Sequence, residues 1–202
     1  MNKYIFLILF LLINSKLLFS QEFGSGKNAL KTTFLSFATG SAKLTYERSI
    51  FNNQSIEITG GYIGVGFDGQ HNHPRGGLFR YAHKFILNYN PKYPLDGIYI
   101  KPEIALSSFN YNIQEINLLD ELERINSTMG TLLACFGYQW GKKAFTFDSF
   151  IGIGGALGSE CDTNYQHGFI LWNFFDRYSK NVSLTFGMKL GVCFGNKEKI
   201  NF

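Results

Sequence analysis

The sequence predicts an all-β protein, a closed antiparallel up-and-down transmembrane β-barrel of about eight strands spanning residues 21–202, after an N-terminal signal peptide over residues 1–20. Three observations predict it. Segments of about ten to fifteen residues alternate apolar with polar or small side chains, the period of a strand with two different faces. These segments are longer than the five or six residues usual in soluble strands and match what a tilted strand needs to cross a bilayer. Their polar faces carry charges of both signs, so those charges can pair inside a closed lumen.

The first twenty residues have the order of a secretory signal: Lys3 as the charged start, Tyr4 to Ile13 as the apolar stretch, and Ser20 as a small residue before Gln21. The apolar stretch is too short to span a bilayer as a helix, and Lys16 breaks the run of apolar residues beyond it. No cysteine lies near the cleavage point to suggest a lipoprotein, and no later apolar run is long enough for a transmembrane helix. The remaining composition, with 22 glycines, 17% aromatics and four prolines, suits strands packed closely at bends and lying at a water–lipid boundary. Without Lys3 and Lys16 the 19 basic residues become 17 against 15 acidic, and they are scattered, which excludes an electrostatic case for nucleic acid. Three cysteines, Cys135, Cys161 and Cys193, are an odd count whose spacing matches no metal motif, so they read as buried or idle thiols.

In order, the strands expected are Asn28–Ala38, Ala42–Phe51, Ser55–Gly66, Leu78–Tyr89, Gly97–Tyr111, Ser127–Trp140, Ala144–Leu157 and Val182–Phe194. The last is the clearest: Val182, Leu184, Phe186, Met188, Leu190, Val192 and Phe194 share one face, and Ser183, Thr185, Gly187, Lys189, Gly191 and Cys193 the other. The seventh opposes Phe145, Phe147, Ile151, Ile153 and Leu157 to Thr146, Asp148, Gly152, Gly154 and Ala156. In the sixth, Leu132, Ala134, Phe136, Tyr138 and Trp140 share a face. The non-greasy faces hold Lys43, Glu47, Glu57, Arg80, Lys84, Lys101, Glu103, Asp148 and Lys189. In a soluble sandwich these would meet water; in a barrel in lipid they form a lumen charge network.

Two patterns select lipid. The connections run short (Thr39–Ser41), short (Asn52–Gln54), long (Phe67–Gly77), medium (Asn90–Asp96), long (Asn112–Asn126), short (Gly141–Lys143) and very long (Gly158–Asn181), and outer-membrane barrels place their longer loops at the odd, outer positions. Only the first outer loop breaks that rhythm. Aromatics near strand ends, Tyr46, Phe51, Tyr62, Phe67, Phe79, Tyr89, Tyr138, Trp140 and Phe194, suit girdles at the two interfaces.

The final strand carries Thr185-x-Gly187-x-x-Leu190-x-Val192, and the chain ends in Phe202. This is similar to the polar-x-Gly-x-x-apolar-x-apolar signal by which outer-membrane barrels are taken up for assembly. With Asn28-Ala29-Leu30-Lys31, Leu44-Thr45-Tyr46-Glu47-Arg48 and Gly60-Gly61-Tyr62, the chain resembles the small OmpA/OmpX-like outer-membrane β-barrel proteins of Gram-negative bacteria, and an uncharacterised family among them. The resemblance implies a bacterial outer-membrane location, outer-membrane lipid as surroundings and the barrel assembly machinery as a partner during biogenesis. It implies no catalytic residue and no cofactor.

A search for chemistry finds little. Lipid A deacylation or acyl transfer needs a serine beside a histidine base held by a third group. His83 falls on the lipid face among Phe79, Tyr81, Phe85 and Leu87, with no serine opposite; His71, His73 and His167 lie in outer loops. His71 and His73 with Asp68 fall short of the four ligands of a structural zinc site. Gly60-Gly61 and Gly152-x-Gly154-Gly155 lie in strands, so they serve curvature or lumen packing and not phosphate binding. The sequons at Asn126 and Asn181 matter only in a eukaryotic secretory path.

At about eight strands the bore is just wide enough for side chains to fill, so the charges read as an ion-paired plug, with Lys84 and Glu103 as a cross-strand pair and Lys43, Glu47, Glu57 and Arg80 as a network nearby. Ile113, Ile116, Leu119, Leu122 and Ile125 recur every three residues among acidic residues, predicting a short amphipathic helix in the third outer loop. The fourth contains Phe169, Ile170, Leu171, Trp172, Phe174 and Phe175. Two readings fit that run: it packs on the amphipathic helix of the third outer loop or extends a hairpin above the membrane, or it docks another outer-membrane protein or the outer leaflet. The function expected is non-enzymatic, a structural or protein-interaction component of the cell envelope; the alternative is a lipid A-modifying enzyme whose site escapes recognition.

Overall fold

Backbone groups facing lipid or a crowded lumen must find partners in one another, and a sheet closed on itself satisfies all of them without an edge. The computed structural model of this chain describes residues 26–66, 73–113, 123–142, 144–158, 170–172 and 182–195; the expected signal peptide lies outside them. Nine strands occur among the described residues: β1 (Asn28–Thr33), β2 (Ser41–Phe51), β3 (Gln54–Ile63), β4 (Arg75–Ile86), β5 (Gly97–Ile113), β6 (Glu123–Lys142), β7 (Phe145–Gly158), β8 (Ile170–Trp172) and β9 (Val182–Phe194). Each pairs antiparallel with its neighbour, and β1 pairs with β9, so eight strands (β1–β7 and β9) close an up-and-down barrel.

The registers fix its geometry. From Val192 the paired positions run through Leu30, Tyr46, Ile58, Tyr81, Ile104, Leu132 and Gly155 and return to β9 at Val182. The circuit therefore closes ten residues away from its start. A stagger of that size over eight strands tilts them by about 40° and sets a radius of about 8 Å. The lumen is thus a column that side chains meeting from opposite walls can fill.

Which face looks inward is settled by burial. Lys31, Thr45, Glu47, Glu57, Lys84, Lys101, Gln139 and Asp148 are all buried, whereas Leu44, Ile58, Ile104, Leu132, Ile151 and Phe186, at outward positions of the same wall, are exposed. Apolar clusters lie above and below the charged zone: Ile63, Leu78, Phe109 and Tyr111 at one end, and Ile86, Tyr99 and Phe150 toward the other.

The first expected strand is cut short. Residues Phe34–Thr39 form a 3-10 helix and not the continuation to Ala38. Phe34-Leu35 breaks the alternation, and the Ser36 and Thr39 hydroxyls donate back three residues, to the carbonyls of Thr33 (2.6 Å) and Ser36 (2.9 Å). Gly40 then turns the chain at φ 73°, a left-handed conformation that glycine adopts without strain.

β5 and β6 are longer than the alternation suggested, pairing on to Ile113 and Glu123. Ile113 and Ile125 therefore lie in strands and not in a helix, with Ile125 packed on the Phe109–Tyr111 cluster; Ile116, Leu119 and Leu122 lie outside the described residues. Arg124 Nε donates to Asn110 Oδ1 across this extension (3.0 Å), a bond available to a ladder and not to a helix with apolar residues every third position. Tyr89 also departs from the girdle, packing against the Ile86–Tyr99–Phe150 cluster at the barrel base, and Phe67 and Phe202 lie outside the described residues.

Candidate functional site: the charged lumen

All nine residues expected in the lumen are buried: Lys43, Glu47, Glu57, Arg80, Lys84, Lys101, Glu103, Asp148 and Lys189. Each sits at an inward position of a strand whose outward positions are largely apolar, the local reason the chain carries them there. Eight of them join in ion pairs, and Lys31 adds a ninth member that the alternation on the short first strand had not singled out.

Lys31 is the hub. Its Nζ donates to Glu47 Oε2 (2.6 Å), Asp148 Oδ2 (2.7 Å) and Glu57 Oε1. Lys84 Nζ meets the same three carboxylates, at 3.2 Å from Glu47, 3.1 Å from Glu57 and 2.9 Å from Asp148, and donates to Gln139 Oε1 at 2.6 Å. Above this square, Lys101 and Lys189 donate to Glu57 Oε2 at 2.9 and 3.0 Å. Lys101 reaches on to Glu103 (2.9 Å), and Arg80 Nε forms an ion pair with Glu103 Oε1 at 2.8 Å.

The tilt explains one correction. Glu103 is level with Ala82, so its cationic partners are Arg80 and Lys101, and Lys84 one inward step below pairs with the Glu47–Glu57–Asp148 group in place of Glu103. Lys43, expected in a network with Glu47, Glu57 and Arg80, is in no ion pair among the described residues.

Neutral side chains complete the plug. Tyr99 donates its hydroxyl to Asp148 Oδ1 (2.5 Å), Ser55 donates to Glu47 Oε1 (2.7 Å), and Gln139 Nε2 donates to Glu47 (2.9 Å) and the Thr146 hydroxyl (3.0 Å). Lysine ammonium groups also lie over aromatic rings, Lys84 over Tyr99 at 4.1 Å and Lys101 over Phe150 at 4.3 Å. Lys31, Tyr99 and Gln139 are the lumen residues that alternation did not single out; their inward parity was available, but only the closed register shows that they meet. Glycines make the room: a Cβ at Gly137 would lie 2.5 Å from the Tyr99 ring, at Gly187 2.9 Å from Phe150, and at Gly191 2.6 Å from the Lys31 stem.

The carboxylates of Glu47, Glu57 and Asp148 lie within 4.8 Å of one another, close enough to hold a cation. Two ammonium groups, Lys31 and Lys84, already lie among the three carboxylates, and Lys101 and Lys189 also pair with Glu57, so four fixed cations meet three carboxylates. Chemically it is a set of mutually paired charges.

Elsewhere, His83 is on the outer face, hydrogen-bonded to Gln54 (2.9 Å) and stacked near Phe85. His73 begins the second described part of the β3–β4 connection with a positive φ of 44°, while His71, Asp68 and His167 lie outside the described residues. Cys135 and Cys193 are free and buried, and Cys161 lies outside the described residues. Of the fourth outer loop, Ile170, Leu171 and Trp172 form β8, whose backbone pairs with Leu184, Ser183 and Val182; Phe169, Phe174 and Phe175 lie outside the described residues. Comparison of the chain with protein-family models, with curated proteins and with solved structures finds no match.

Proposed function

We propose that this chain is an outer-membrane β-barrel with a structural or protein-interaction role in the bacterial envelope, and that it is not an enzyme. One observation carries the reading: the inside-out distribution of side chains around the closed barrel. Leu132 is 62% exposed, Ile151 63% and Phe186 60%, while the charged residues between them are sealed inside. An apolar surface running round the whole cylinder far exceeds the few hundred Å² that soluble proteins leave uncovered. In water it would aggregate; in lipid it is the expected coat.

The non-enzymatic part rests on the lumen and on His83. The lumen carboxylates are engaged by lysines, arginine and hydroxyl donors, and His83 faces outward beside Gln54 with no serine partner among the described residues. The two longest connections, 64–74 between β3 and β4 and 159–181 between β7 and β9, open at the end away from the two-residue turn between β2 and β3, so partners would be met there.

The test is membrane fractionation, with gel electrophoresis of heated and unheated samples. A fast-migrating unheated band in the outer-membrane fraction is expected; a soluble periplasmic protein without a mobility shift would overturn the reading. Expression in a Gram-negative host lacking the protein should leave the lipid A mass spectrum unchanged, and an altered acyl pattern would replace the interaction role with lipid modification.

A further inference from the structure

We infer that the upper lumen is a binding site for a small inorganic anion of about the size of chloride, held between Lys43 and Arg80. Two independent observations converge there. The first is charge. Among the described residues six cationic side chains are buried in the lumen (Lys31, Lys43, Arg80, Lys84, Lys101, Lys189) against four carboxylates (Glu47, Glu57, Glu103, Asp148). Lys43 is only 7% exposed, and its ammonium group has no hydrogen-bond or ion-pair partner among the described residues. A buried, uncompensated cation is costly, the more so inside a cylinder coated by lipid, and a bound anion relieves the cost.

The second is a set of buried hydroxyls with nothing to bond. The side chains of Ser107, Thr131 and Ser183 have no hydrogen-bond partner among the described residues. Their placement comes from the registers. Lys43 is level with Gly61, then Leu78, then Ser107; Arg80 is level with Ala105, then Thr131. Ser183 is level with Gly154 on the next wall. The climb of the tilted rows sets the three hydroxyls on the order of 6–9 Å above the Lys43 and Arg80 backbones. Gly61, Ala105, Gly154 and Ala156 beside them are small, and the buried Met129 side chain packs on Ala105 and Ala156. The result is two cations, Lys43 and the Arg80 that also meets Glu103 and Thr185, below three hydroxyls on β5, β6 and β9, a donor set that a small anion takes and a metal cation does not.

The size of the penalty rests on the lipid setting, but the test does not. The folded barrel in zwitterionic detergent is melted in chloride and in gluconate at equal ionic strength, the bulky anion serving as the control. Chloride should raise the midpoint of the heat-induced band shift saturably, by about 2–4 °C. The Lys43→Met variant should lose the chloride response, and Lys92→Met, at an exposed lysine of the β4–β5 connection, should keep it. A Thr131→Val, Ser183→Ala double variant should need several-fold more chloride for half its effect. Superimposed chloride and gluconate curves for the unaltered protein would overturn the inference. So would a response retained by Lys43→Met, or, if that variant does not fold, an unshifted chloride requirement in the hydroxyl double variant.

Discussion

Lys31 neutralises three carboxylates at once, so its removal is the most damaging single change in the lumen. Lys31→Met leaves Glu47, Glu57 and Asp148 crowded around Lys84 alone on that side, and breaking a buried pair costs about 3–5 kcal/mol. Urea unfolding of the barrel in lipid vesicles should show a loss of that order, and an unchanged midpoint would mean that the square is not the stabilising plug. The outer face responds oppositely to charge. Ile151, midway along β7 and exposed, should cost about 2–4 kcal/mol on replacement by Arg if it faces the bilayer centre. Vesicle unfolding reads this directly, and a loss of only a few tenths would place that face in water. At this scale the inward residues were legible because parity alone assigns a side. The partners were not: Lys84 is joined to Asp148 from a strand 64 residues away, and no local pattern encodes which rows coincide.

Among the elements, β1 is the shortest stave of the barrel wall, pairing over five positions with β2 and six with β9. β5 and β6 are paired from Gly97 to Ile113, whereas β1 meets β9 only from Asn28 to Thr33. Above it the 3-10 helix and β8 take over, β8 pairing with β9 only at Val182–Leu184. Amide exchange should therefore be fastest in β1 and the upper half of β9 and slowest along β5–β6; uniform protection around the barrel would contradict a weak seam. The long alternating strands were legible because a period of two sustained over ten residues has few competitors. The 3-10 helix was not, because its cause is a pair of hydroxyls bonding back three residues within a segment whose apolar content resembles a strand. The expected helix around Ile113–Ile125 failed at both ends for the complementary reason: a ladder already formed lower down continues outward residue by residue at little cost, and local three-residue spacing does not outweigh it.

For the whole molecule, the signal-peptide pattern predicts an intact mass beginning at Gln21 for protein taken from the envelope; a chain retaining Met1 would contradict export by cleavage. The lumen charges depend on the closed wall, since mixed-sign charges are buried together at low cost only when the signs meet.

Strand number, the polarity of each face and the identity of the nine expected lumen residues came from the sequence by itself, because alternation along a strand is a local property set by backbone geometry. Closure, the ten-residue stagger, the choice of Arg80 over Lys84 for Glu103, and the lack of an ion pair at Lys43 among the described residues were decided only by the tertiary structure. Those depend on which residues of distant strands share a level, and the tilt of the closed barrel sets that level for all eight strands together.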